Sequence, residues 1–310
     1  MSGYVGRNER QRELEKLYNR LCSRYSRFEV WQDMVVLIAC AIANAADKRH
    51  FEEREKMYMR AIQKYTKEEQ NIFPDFFTHI VLGMEENPDC DFLGELYMGL
   101  ELGNNKAGQF FTPYDICRAM AQCTINEDML KSQIEKNGWI SINDPASGAG
   151  ATLVAAANYL KSVGINYQMQ ALFVAQDIDM TVALMCYIQL SLLGCAGYVI
   201  IGNTLTEPAT GNVLFGEESS RCWYTPMFFH DVWNTRRAIA IAKMMFQRVA
   251  TAFPAAATDQ ATASMPSDEK PKGAHFNPTR TNPSDPFVPA LTMCADKKHA
   301  GQLMWTLEGE

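Results

Sequence analysis

Two carboxylates, two glycines and an amide define the chemistry this sequence could do. Asp144, Gly148 and Gly150 fall within WISINDPASGAGATLVAAANYL (Trp139 to Leu160), Asp177 follows in AQDID, and Asn203 stands in GNTL. Glycine has no Cβ and accepts positive φ, so a Gly-x-Gly turn lets backbone N–H groups come close to a ligand. An acid near the end of the second strand of a doubly wound fold bonds the ribose hydroxyls of an adenosine-containing cofactor, and Asp177 stands at that place. Taken singly, each of these residues is as well explained as a cap or turn residue. Taken together they describe the holding of a nucleoside.

The elements that must position them are legible. Ile140 and Ile142 lead a first strand into the glycine turn, and the Ala, Leu and Val that follow recur at helical spacing. Gln170 to Ala175 reads as a second strand, Met180 to Leu193 as a buried helix stopped by Gly194, and Tyr198 to Ile201 as a third strand. Ligands of such sheets sit outside the carboxyl ends of the strands, where all the candidate groups fall. The pattern predicts an α/β, Rossmann-like core.

Upstream lies DFLGELYMGLELGNNKAGQFFTP, from Asp91 to Pro113. This segment resembles the D-x-L-G-x-x-Y and G-Q-F/Y-T-P motifs of the modification subunits of type I restriction-modification systems. DPASGAG resembles the D-P-A-x-G-x-G of that family, AQDID its G-x-E-x-D, and GNTL its G-D-T-L. These proteins are DNA methyltransferases that move a methyl group from S-adenosylmethionine to adenine N6. The resemblance covers roughly Asp91 to Leu205. It implies an S-adenosylmethionine-dependent methyltransferase core with a helical N-terminal domain before it. Phe111, Thr112 and Pro113 would then line the methionine end of the cofactor. Asp144, Ala146, Gly148 and Gly150 would form the turn beneath it, Asp177 would take the ribose hydroxyls, and Asn203 would face the adenine. It implies DNA as a partner, with a specificity subunit or other protein assisting.

Two positions depart from the family habit. Asp177 replaces a glutamate and shortens the reach by one methylene, and Asn203 replaces an aspartate and loses its charge. A third departure concerns catalysis. The resembled enzymes use an Asn-Pro-Pro-aromatic tetrapeptide after the fourth strand, whose amide and backbone carbonyl accept the N6 hydrogens while the ring stacks on the flipped base. This sequence has no such tetrapeptide. The nearest candidate by position is WYTPMFF, with Tyr224, Thr225 and Pro226 at the acceptor site. Asn277-Pro278-Thr279 and Asp285-Pro286-Phe287 are further candidates. Two readings therefore stand: an adenine-N6 methyltransferase with a variant acceptor, or a degenerate relative that binds the cofactor, or only keeps the fold, and acts as a binding or regulatory module. A nicotinamide enzyme would need only the glycine turn and Asp177, and leaves GQFFTP unexplained.

At 310 residues and 47% hydrophobic content the chain has material for one sizeable core or two modest ones. A net charge of −7 argues against a protein that grips nucleic acid unaided, because phosphate contacts need clustered Lys and Arg. The nine cysteines form no C-x-x-C pair and lie near no histidine cluster, so they read as buried thiols in a reducing compartment rather than a metal site. Met34 to Ala46, the longest apolar run, is too short to span a bilayer, and the N-terminus lacks the apolar core of a signal peptide. The expectation is a cytoplasmic protein. Three regions are expected: a helical domain over 1–105, the methyltransferase-like core over 106–250, and a flexible Pro/Ala/Thr/Ser-rich tail over 251–310. Past the third strand only Val213 to Phe215 and Cys222 to Tyr224 read as strands, so the sheet looks incomplete. Arg236 to Ala250 reads as a helix with a basic edge.

Overall fold

The computed structural model describes residues 8–103, 111–252, 290–295 and 303–308, the last two segments and 249–252 by their backbone alone. Six helices fill the first hundred residues: α1 (Glu9–Cys22), α2 (Arg27–Ala46), α3 (Phe51–Ile62), α4 (Lys67–Gln70), α5 (Ile72–Glu86) and α6 (Phe92–Gly99). Their starts follow from local chemistry. Asn8 and Gln11 form a reciprocal capping box on α1, Pro74 sits in the first turn of α5, and Asp91 caps α6 through Gly94 N.

α2 is the centre of this half, with Val30, Trp31, Met34, Val35 and Ala39 buried along it. It is longer than the apolar run suggested, and by length and composition alone it could cross a membrane. Its apolar residues instead lie in a core shared with the other helices and the sheet.

Then come α7 (Tyr114–Thr124), α8 (Glu127–Asn137), β1 (Ile140–Asp144), α9 (Ala151–Ser162), α10 (Tyr167–Gln170), β2 (Ala171–Asp177), α11 (Met180–Leu192), β3 (Ala196–Ile201), β4 (Cys222–Tyr224), a 3₁₀ turn (Pro226–Phe229) and α12 (Asp231–Ala252). β5 (Ala290–Ala295) and β6 (Leu303–Glu308) close the order. The six strands form one sheet, ordered β4-β3-β2-β1-β5-β6. β3, β2, β1 and β5 run parallel, while β4 and β6 pair antiparallel at the two edges. The register sets Asp144 beside Ala175 and Asp177 beside Ile201, so the carboxyl ends of β1, β2 and β3 come level.

The fold is α/β, as expected, and its first three strands fall where the sequence puts them. Val213 to Phe215 is a turn rather than a strand. Asn212 Oδ1 accepts from Leu214 N at 2.9 Å and Asn212 O accepts from Phe215 N at 3.0 Å, leaving these groups no ladder to join. The greater part of the expected tail, including Asn277-Pro278-Thr279 and Asp285-Pro286-Phe287, lies outside the described residues, as do Asn104 to Phe110 of the GQFFTP region. Residues 8–235 of the helices and sheet belong to one compact unit with the last two strands. A second unit begins at Arg236, and its helical part exposes Ile239, Met245 and Phe246.

Candidate functional site

The site is built from three strand ends sewn together by backbone. After β1, Asp144 is fully buried. Its Oδ1 accepts from Ala146 N at 3.1 Å, and its Oδ2 accepts from the Thr152 hydroxyl in the first turn of α9. Burial pushes its carboxyl up to about 6, against the opposing help of those two donors. The turn then runs through Gly148 at φ +54° and Gly150 at φ +96°, both in the region that disfavours side chains.

The two glycines serve different ends. A Cβ on Gly150 would stand 2.8 Å from Cys186 Sγ, so this residue lets α9 close on α11. A Cβ on Gly148 would meet only the Phe111 ring, at 3.7 Å. Gly148 N is committed to Asp177, donating to Oδ2 at 2.9 Å, while Oδ1 of the same carboxylate accepts from Asp179 N at 2.9 Å. Burial raises the Asp177 carboxyl too, and these backbone donors oppose the rise. Since each carboxylate oxygen can accept twice, Asp177 keeps acceptor capacity beyond its backbone donors.

β3 delivers the third end. Gly202 N donates to Asp177 O at 2.9 Å, and the Thr204 hydroxyl donates to Pro145 O at 2.5 Å. Asn203 between them turns its amide oxygen onto Leu205 N at 2.9 Å. From the helical half, the Phe111 ring stacks on Tyr97 with centroids 5.6 Å apart and planes at 24°. Thr112 is half-buried and Pro113 begins α7 at the surface. The structure thus brings Phe111, Asp144, Ala146, Gly148, Gly150, Asp177 and Asn203 to one end of the sheet.

It does not bring Tyr224, Thr225 and Pro226 there. β4 runs antiparallel to β3 with Tyr224 opposite Tyr198, so the chain leaves β4 toward the amino end of β3, away from the glycine turn. Thr225 is fully buried, donating to Cys195 O at 2.7 Å and accepting from Gly197 N at 3.0 Å. The Tyr224 hydroxyl donates to Glu217 O at 2.6 Å, and the Arg49 guanidinium lies 4.3 Å over its ring. Their polar groups are consumed in packing. Nearness in sequence to Asn203 suggested a different place because nothing in the sequence marks β4 as antiparallel.

Three contributors lay outside the sequence reading. Thr152 holds Asp144, and Asp179 caps α11 through Thr181 N and Val182 N. Gln189, fully buried on α11, donates to both Asp91 Oδ1 and Ala149 O at 2.8 Å and accepts from Leu93 N at 3.2 Å. A lone glutamine amid MTVALMCYIQLSL was the available signal. Among the described residues no group of three or more His, Cys, Asp or Glu is arranged to hold a metal ion.

The family model described as N-6 DNA methylase matches residues 89–259, more than half of the chain. No curated protein matches. Among solved structures, one described as a class I S-adenosylmethionine-dependent methyltransferase from Listeria monocytogenes is 18% identical, with a TM-score of 0.35, covering 67% of this chain and 58% of the other. The methyltransferase subunit of a type I restriction-modification system from Streptococcus thermophilus is 14% identical, with a TM-score of 0.34, covering 64% of this chain and 41% of the other. The chain therefore spans about half the length of these two structures.

Proposed function

The chain belongs to the N-6 DNA methylase family, and from that premise we propose that it binds S-adenosylmethionine at the carboxyl ends of β1 to β3 and serves methyl transfer to adenine N6 of DNA. The observation that carries the cofactor is the charge of the cradle. Among the described residues neither Asp144 nor Asp177 is paired with an arginine or lysine, and each is held by backbone or hydroxyl donors. S-adenosylmethionine brings a sulfonium and an ammonium. A dinucleotide would bring a pyrophosphate. At an effective dielectric near 20, a unit charge about 4 Å from a carboxylate is favoured or opposed by about 4 kcal/mol, which favours the cation. The fit extends to Asp177, whose remaining acceptor capacity suits a pair of ribose hydroxyls.

In this reading Phe111 and Gly148 flank the cofactor, Asp177 fixes its ribose and Asn203 lies toward its base. When bound, the cofactor supplies an electrophilic methyl group for in-line attack. The chain's own contribution is orientation and a dry, preorganised floor. DNA is the proposed substrate, and with a net charge of −7 the chain would share its grip on phosphates with a specificity subunit or another partner.

A second reading, a cofactor-binding module without its own transfer step, is favoured by one observation. β5 is the fourth parallel strand, and the residues after it, Asp296 to Gln302, contain no asparagine, proline, phenylalanine, tyrosine or tryptophan. Tyr224, Thr225 and Pro226 supply no substitute at the strand ends. Calorimetric titration with S-adenosylmethionine and NAD tests the cofactor, and transfer of a labelled methyl group to DNA then separates the two readings. Micromolar binding of S-adenosylmethionine alone, weakened about tenfold or more by Asp177→Ala, is expected. Preference for NAD, or no binding by folded protein, would overturn the proposal.

A further inference from the structure

Tyr97 is 1% exposed, and its hydroxyl is buried without a hydrogen-bond partner. An unpaired buried hydroxyl costs about 1–3 kcal/mol, and native structures keep few of them. This one is beside the site. Its ring is sandwiched between Trp31, with centroids at 5.7 Å, and Phe111, at 5.6 Å, and Phe111 in turn faces the open side of Gly148. Burial, with the Asp179 carboxylate adding to it through space, pushes the hydroxyl up to about 12, so the phenol stays neutral. A neutral hydroxyl in the field of a carboxylate is matched by a ligand group that is positively charged and rich in N–H donors.

We infer that Tyr97 is a cofactor-binding residue whose hydroxyl, together with the field of Asp179, takes the amino group at the methionine end of S-adenosylmethionine. The inference rests on the cofactor reading above and adds to it a specific contact. Asp177 and Gly148 lie toward the nucleoside. Tyr97 and Phe111 approach from the helical half and would distinguish a ligand that carries an amino-acid end from one that does not.

Tyr97→Phe keeps the ring stack and deletes only the oxygen. The measurements are the melting temperature of the free protein, the Kd for S-adenosylmethionine by calorimetry, and the inhibition constant of 5′-methylthioadenosine, which lacks the amino-acid end, by competition. Free Tyr97→Phe is expected to melt at or above the wild-type temperature, because the unpaired oxygen is gone. S-adenosylmethionine should bind it at least about tenfold more weakly, the scale of one hydrogen bond to a charged group, with methylthioadenosine unchanged. An unchanged Kd for S-adenosylmethionine, or an equal loss for both ligands, overturns the assignment. Wild-type protein that binds neither ligand would instead bring down the cofactor reading beneath it.

Discussion

At the scale of single residues, the glycine turn contains two positions whose substitutions should separate folding from binding. Gly150→Ala places a methyl group 2.8 Å from Cys186 Sγ at φ +96°, so both strain and overpacking oppose it. Destabilisation on the order of 2–4 kcal/mol is expected by urea denaturation. Gly148→Ala meets only ordinary contact with Phe111 at φ +54° and should cost about 1 kcal/mol, the left-handed penalty alone. Its methyl group would occupy the cradle, so its loss should appear in the Kd for S-adenosylmethionine. Asp144 makes a prediction in pH. Its carboxyl is raised from an ordinary 3.8 to about 6, mainly by burial. Below about 4 both folded and unfolded chains hold the proton and the effect vanishes. Between about 4 and 6 the unfolded chain releases its proton first, so folding stability falls as pH rises and levels off above about 6, by an amount on the order of 3 kcal/mol for this group. Burial raises Asp91 and Asp177 as well, with the same sign. Asp144→Asn should therefore flatten part, not all, of the slope measured by denaturant melts from pH 4 to 7.

At the scale of elements, α6 is fastened to the glycine turn from both ends. Its cap, Asp91, shares the Gln189 amide with Ala149 O, and its last turn stacks Tyr97 on Phe111. Gln189→Leu would strip a donor from a buried carboxylate and leave Ala149 O unpaired. A loss of about 2–4 kcal/mol in urea denaturation is expected, with weaker cofactor binding as the turn loosens. An effect below about 1 kcal/mol would mean the clasp is dispensable. This coupling explains what the sequence could and could not tell. β1, β2 and β3 were legible because apolar runs end in turn residues, and the placing of Asp144, Gly148 and Asp177 at those ends was legible with them. Gln189 was hidden because its partners, Asp91 and Ala149, lie far from it along the chain and hydrogen bonds leave no periodicity. Tyr224 and Thr225 misled because CWYTP looks the same whether its strand runs with or against β3. Only the register, with Tyr198 opposite Tyr224 and Ile200 opposite Cys222, reveals the direction.

At the scale of the molecule, helices and sheet share one core. α2 and α11 both contribute to it, the Arg54 guanidinium on α3 lies 4.9 Å over Trp223 of β4, and Arg54 Nη2 donates to Cys222 O at 3.4 Å. The buried ion pair of Arg54 with Asp47, at 3.3 Å, depends on that setting, since either charge left alone in the interior would cost several kcal/mol. A helical half cut from the sheet would lose the Gln189 amide from Asp91, and the Cys222 carbonyl and Trp223 ring from Arg54, together. The consequence is that the described residues up to Thr235 form a single cooperative unit, in which stabilisation applied at one place is felt throughout. Ligand that binds only the native state adds RT ln(1 + [L]/Kd), about 2.7 kcal/mol at a hundredfold excess over Kd. Saturating S-adenosylmethionine should thus slow hydrogen exchange of the most protected α2 amides by about the same factor as those of β1 and β2, roughly a hundredfold, although α2 lies outside the glycine turn. Protection confined to β1, β2 and the turn would show that the helices open on their own, and that the shared core does not bind the two halves into one folding unit.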